Sequence, residues 1–146
     1  MLSLDKFRTA HDCMMAAAHQ IKNVLADDGA VNLAWVLEKM TEFHAMGMEH
    51  IIQEDNEFYP MMSEEGDEQI QGIVAAMQKK SNVIGFVMNK FIRHWTLEAV
   101  MADGSGFLSD TASTLDFAME RITTENLLFT LLEMRAMNSM DIVSDY

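Results

Sequence analysis

The chain has 146 residues, 49% of them hydrophobic and 23% charged, a size and balance that fit one domain with a single core and exclude a disordered chain. One proline and seven glycines are too few turn formers for a many-stranded sandwich or barrel. A formal charge of −13, from 10 Lys and Arg against 23 Asp and Glu, argues against a nucleic-acid partner or an anionic bilayer and favours a cationic partner such as a metal ion.

Three turn-rich segments punctuate the chain: Asp27-Asp28-Gly29, Ser63-Glu64-Glu65-Gly66-Asp67 and Asp103-Gly104-Ser105-Gly106. Glycine tolerates the backbone that ends helices, and Asp and Ser cap the helices that follow. Between them lie four stretches rich in Ala, Leu, Met, Glu and Gln, residues that enter helices at little cost. The first carries an apolar stripe at Leu4, Phe7, Met14, Ala18, Ile21 and Leu25, with a gap at position 11. The second carries Leu33, Val36, Met40, Phe43, Gly47 and Met61, and Pro60 is expected to end or bend it. The third carries Ile70, Ile73, Met77, Ile84, Val87 and Phe91, and the fourth Leu108, Leu115, Ala118, Ile122, Phe129 and Leu132. Steps of three and four predict helices packed on one another. Short connections make neighbours antiparallel, so the predicted fold is all-α: an up-down-up-down four-helix bundle forming one domain over residues 1–146.

The gaps in the stripes hold the chemistry. His11 sits on the first stripe, His50 and Glu54 on consecutive positions of the second, Lys80 on the third, and Glu125 on the fourth with Arg121 at its edge. Buried charge is costly unless paired or bound to a metal, so these positions need an explanation. Counted from the turns, their heights differ by roughly one helical turn, and they can meet in one layer. Two imidazoles and two carboxylates at one level form an N/O cage for a first-row metal, with iron the usual ion in such bundles. A faint duplication accompanies them: His50-x-x-x-Glu54-Asp55-x-x-Phe58 reads against Arg121-x-x-x-Glu125-Asn126-x-x-Phe129 at an offset of 71 residues, with Arg in the place of His.

On these residues the chain resembles the hemerythrin-like (HHE cation-binding) domains. The matching segments are His11-Asp12, His50-Ile51-Ile52-Gln53-Glu54-Asp55 with Phe58-Tyr59-Pro60, Trp95, and Arg121 to Asn126. The resemblance implies a bundle holding non-haem iron, mononuclear or as a di-iron pair, that binds oxygen, senses redox state or handles iron. It implies His11, His50, Glu54 and Glu125 as metal ligands. Such domains usually place His or Glu on the third helix at the metal level, where this chain offers Lys80, and often His where it has Arg121. Two cations beside the cage would tune its charge or repel a second divalent ion, and arginine cannot discharge by losing its proton.

Several residues have blander readings. His19, His44 and His94 lie beside the stripes and are expected at the surface or rim. Cys13 is the one cysteine, which excludes an internal disulfide and gives no sign of an oxidising compartment. Most of the 15 methionines read as core packing. There is no nucleophile elbow and no phosphate-cradling loop, so an enzyme is not the expectation. The start of the chain lacks a secretory pattern, and no run of roughly 18 apolar residues occurs, so a cytoplasmic protein without a membrane partner is expected. The leading function is metal binding at an altered or mononuclear site, with sensing of a diatomic ligand such as oxygen or NO, or iron handling. The alternative is a metal-free bundle with no cofactor, acting as a regulatory module or homodimer.

Overall fold

The computed structural model describes the backbone of residues 2–27 and 29–144, with side chains up to residue 138; Asp28 of the first expected turn lies outside the described residues. Four long helices dominate: α1 (Asp5–Leu25), α2 (Leu33–Gln53), α4 (Glu68–His94) and α6 (Gly104–Ser144). Two short ones complete the chain: α3 (Tyr59–Ser63) and α5 (Leu97–Ala102). Helix α1 packs on α2 and α6, and α4 packs on the same two, so the long helices form a square with α1 and α4 on one diagonal. The described residues contain no strand. None of their helices is long and apolar enough to cross a membrane.

Local signals set the ends. Asn32 caps α2 by accepting from the Trp35 N–H at 3.0 Å, and Asp67 caps α4 by accepting from Gln69 N–H at 2.8 Å. Asp67 also accepts from Arg135 Nε at 2.9 Å, which ties α6 to the start of α4. The third turn departs from expectation. The third long helix stops at Trp95, and Thr96 then caps the separate turn α5 by accepting from Ala99 N–H at 3.2 Å. Asp103 performs the same service for α6, accepting from Gly106 N–H at 3.0 Å.

Pro60 does not end the second helix. The chain stays helical through it, by widening into a π-turn over Glu54–Phe58 in which Tyr59 N–H bonds back to the Glu54 carbonyl. Proline has no N–H to offer the preceding turn, and the wider spiral absorbs the missing bond. Glu54, Phe58 and Met62 therefore line up inward, and the buried methionine is Met62 rather than Met61.

The apolar interior is divided in two. One block contains Met14, Phe43, Met88, Phe91, Phe107 and Ile122; the other contains Phe7, Phe58, Met62, Met77, Phe129 and Leu132. Between them every long helix passes through a polar position: His11 on α1, His50 on α2, Ser81 on α4 and Glu125 on α6.

Candidate metal centre

The polar layer brings together five of the six residues singled out from the sequence, four of them as possible metal ligands. His11, His50, Glu54 and Glu125 are all buried, and one potential ligand atom from each lies within 4.8 Å of all the others. His50 and Glu54 are one helical turn apart, which puts both on the face of α2 that meets the core; their Nε2 and Oε1 atoms are 2.5 Å apart. His11 reaches across from α1, with Nε2 2.9 Å from Glu125 Oε2 on α6. The two imidazoles meet edge to face at 4.4 Å.

Aromatic rings floor the layer. His11 stacks on Phe129 at 5.3 Å with an interplanar angle of 11°, and Phe58 abuts Phe129 at 5.4 Å and Phe7 at 5.3 Å. These rings pack under His11 and hold its orientation.

Asn126, Tyr59 and Ser81 also take part, although the spacing argument gave them no role. Asn126 Oδ1 lies 2.7 Å from His11 Nδ1. An amide oxygen can only accept, so Nδ1 carries the proton and the neutral ring keeps its Nε2 lone pair directed at the cluster. The sequence signal for Asn126 is the duplication, which aligns it with Asp55; Asp55 itself is exposed. Tyr59 donates its hydroxyl to Glu54 Oε2 at 3.3 Å and is hydrogen-bonded to Ser81. Burial, reinforced by the charges of Glu54 and Glu125, pushes the Tyr59 pKa well up, so the phenol stays protonated and remains a donor. Burial lowers the His11 pKa, but contact with Glu125, the bond to Asn126 and the charge of Glu54 outweigh it and the net shift is upward.

Lys80 is not in the layer. It is exposed, and the inward position of α4 at this level is Ser81. The stripe of α4 runs Ile70, Val74, Met77, Ser81, Gly85, Met88 and Phe91; it agrees with the predicted series at Ile70, Met77 and Phe91 and lies one residue later at Val74, Ser81, Gly85 and Met88. Small residues hold the inward positions there: an added Cβ on Gly85 would come 3.3 Å from Ile51 of α2. The apolar character of Ile84 and Val87 masks this register, because both are half-buried on the flanks. Arg121 does reach the layer. Its side chain is only 10% exposed, and its Nε stands 3.6 Å from Glu125 Oε1. His19 and His94 are exposed, and His44 is half-buried with Nε2 2.7 Å from Asn89 Oδ1.

Residues 2–132 match the hemerythrin HHE cation-binding domain. The chain belongs to this family. No match was found among curated proteins or among solved structures. Iron is the cation that the hemerythrin family implies, and the donors of this member fit it. His11 Nε2, His50 Nδ1, His50 Nε2 and Glu54 Oε1 are buried without an aligned hydrogen-bond partner. Orphaned atoms of this kind cost roughly 1–3 kcal/mol each when left unmade. A set of two neutral imidazoles and two carboxylates suits a borderline first-row ion and neutralises a divalent one. On α4, where a further ligand would be needed for a second ion, this hemerythrin-like chain has the hydroxyl of Ser81.

Proposed function

We propose that this protein holds one divalent first-row metal, iron in the first instance, with His11, His50, Glu54 and Glu125 as its ligands. The observation that carries the proposal is the convergence of these four buried side chains in a polar layer of the core, with Nε2 of both histidines and Oε1 of Glu54 lacking an aligned hydrogen-bond partner. Two features favour a single ion. Arg121 brings a permanent positive charge to the layer, and α4 contributes neither imidazole nor carboxylate. Bound iron would supply a redox-active Lewis acid open to a small ligand, which suits sensing of a diatomic molecule or the handling of iron itself.

The residues around the donors have definite tasks in this reading. Asn126 orients His11, Tyr59 holds Glu54 by donation, and Phe58 and Phe129 keep the lower side dry. A surface groove of about 500 Å³ between α1 and α2, bordered by Lys6, Cys13, Met46 and Gln53, reaches His50 and provides access from solvent.

The competing reading is a metal-free bundle in which Arg121 and Glu125 form a buried ion pair, favoured by their 3.6 Å separation. Metal analysis of protein purified from iron-supplemented cells decides between them. About one ion per chain, lost in His50→Ala, supports the metal site; protein free of metal, with no change in His50→Ala, supports the ion pair and removes the proposal.

A further inference from the structure

Arg121 is the one member of the layer whose charge the cage does not use. Its side chain is nine-tenths buried, and Nε and Nη2 have no hydrogen-bond partner. It borders an interior cavity of about 30 Å³ together with His50, Glu54, Ser81, Met88 and Glu125. A space of this size holds one or two water-sized groups. On its other side Arg121 forms the floor of a surface groove of about 270 Å³, bordered by Lys80, Val83, Phe117, Glu120 and Thr124. Among the described residues, Arg121 is the one common to the cavity and this groove.

Charge balance gives the cavity a purpose. Metal ligation requires both carboxylates to be ionised, and together they cancel a divalent ion. Arg121 then stands in a dry interior with one positive charge uncompensated, and it cannot give up its proton. An isolated buried charge is costly, and two buried N–H groups without acceptors add to the cost. One small monoanion in the cavity would remove all of these penalties at once.

We propose that Arg121 makes this cavity selective for monoanions, with an anion of one to three atoms accepting hydrogen bonds from its Nε and Nη2. This rests on the metal-binding reading above. Arg121 thereby sets ligand choice, favouring anionic over neutral small ligands, and the groove at Lys80 is the anion's way in.

The test loads the full chain with cobalt(II), whose visible spectrum reports its coordination, and titrates in azide and, separately, fluoride. The wild type should show a saturable spectral change with at least one of them. Arg121→Gln should weaken that binding by roughly tenfold to a hundredfold, the loss expected for charge-assisted hydrogen bonds. Arg121→Lys, which keeps the charge, should fall between the two. The anion should also raise the melting temperature of the cobalt-loaded wild type and leave that of the metal-free wild type unchanged, a result that does not depend on any variant folding. If cobalt binds to wild type and Arg121→Gln alike and their anion affinities are equal, or if neither anion binds the wild type, the anion role is overturned while the metal site stands. If cobalt does not bind the wild type at all, the metal assignment falls and this inference falls with it.

Discussion

His11 and Asn126 meet at 2.7 Å through Nδ1 and Oδ1, across 115 residues of sequence. That bond joins the first long helix to the last and fixes which imidazole nitrogen faces the cluster. Its loss should be felt in metal affinity more than in folding. Asn126→Leu is expected to weaken metal binding by about 10- to 100-fold, the usual effect of losing a partner that orients a histidine ligand. Asn126→Asp, which can still accept from Nδ1–H, should restore most of it. Competition against a chromogenic chelator measures both.

Phe129 serves stability and the site together. It is fully buried, stacks on His11 and touches both Phe7 and Phe58. Phe129→Ala should destabilise the fold by about 3–5 kcal/mol, the cost of a large aromatic removed from a packed core. Urea denaturation of protein stripped of metal isolates this effect, and a loss below about 1 kcal/mol would contradict the packing described.

The pair Arg8 and Glu133 gives the fold an acid-sensitive clasp. Glu133 accepts from Arg8 Nη1 at 3.0 Å and from the Leu4 N–H at 2.9 Å, and a second bond from Arg8 reaches its other oxygen. Hydrogen bonding to Arg8, with help from Leu4 and from the arginine's charge, holds the Glu133 carboxyl below its ordinary value. A carboxylate whose pKa is lowered by folding contributes stability above its unfolded pKa, and that contribution is lost as pH falls through the folded value. Glu133→Gln should therefore cost about 1 kcal/mol at neutral pH, a value already reduced for solvent screening, and nearly nothing below the carboxylate range. Melting temperatures of the two chains should converge as pH drops from 7 to 3.

Lys80 and its neighbour Ser81 should behave oppositely. Lys80 is exposed, so Lys80→Ala is expected to change stability by less than about 0.5 kcal/mol and to leave metal stoichiometry unchanged. Ser81 is buried against Tyr59, so Ser81→Leu forces a large side chain into the filled layer and should cost about 1–3 kcal/mol. Thermal melts together with metal content check the pair; a large loss from Lys80→Ala would restore the register first predicted for α4.

The architecture and the convergence of His11, His50, Glu54 and Glu125 were readable because the signals for them repeat. On three helices the apolar stripe keeps one register on both sides of the polar layer, and a charged or imidazole side chain in the gap of such a stripe has few other places to go. The fourth failed for a physical reason. On α4 the inward residues at that height are Ser81 and Gly85, which carry almost no hydropathy signal, while Ile84 and Val87 on the flanks carry a strong one. Spacing alone follows the stronger signal and turns the helix by one residue, which brings Lys80 inward and leaves Ser81 unnoticed. The π-turn was hidden similarly, because one proline is compatible with a stop, a kink or a wider spiral, and only packing chooses among them. Asn126 needed the third dimension, since nothing in sequence links it to His11 except a weak echo of Asp55.

The split of the core into two dry blocks makes the polar layer a seam. Each block can tolerate its own faults: a cavity near Phe107 leaves Phe58 and Phe129 in contact, and damage around Met62 leaves Phe91 and Trp95 packed. A fault in the seam is shared, because all four long helices cross it and both blocks rest on it. Mutational fragility in this molecule should therefore peak in the middle of the helices and decline toward either end, with occupancy of the seam governing how cooperatively the two halves melt.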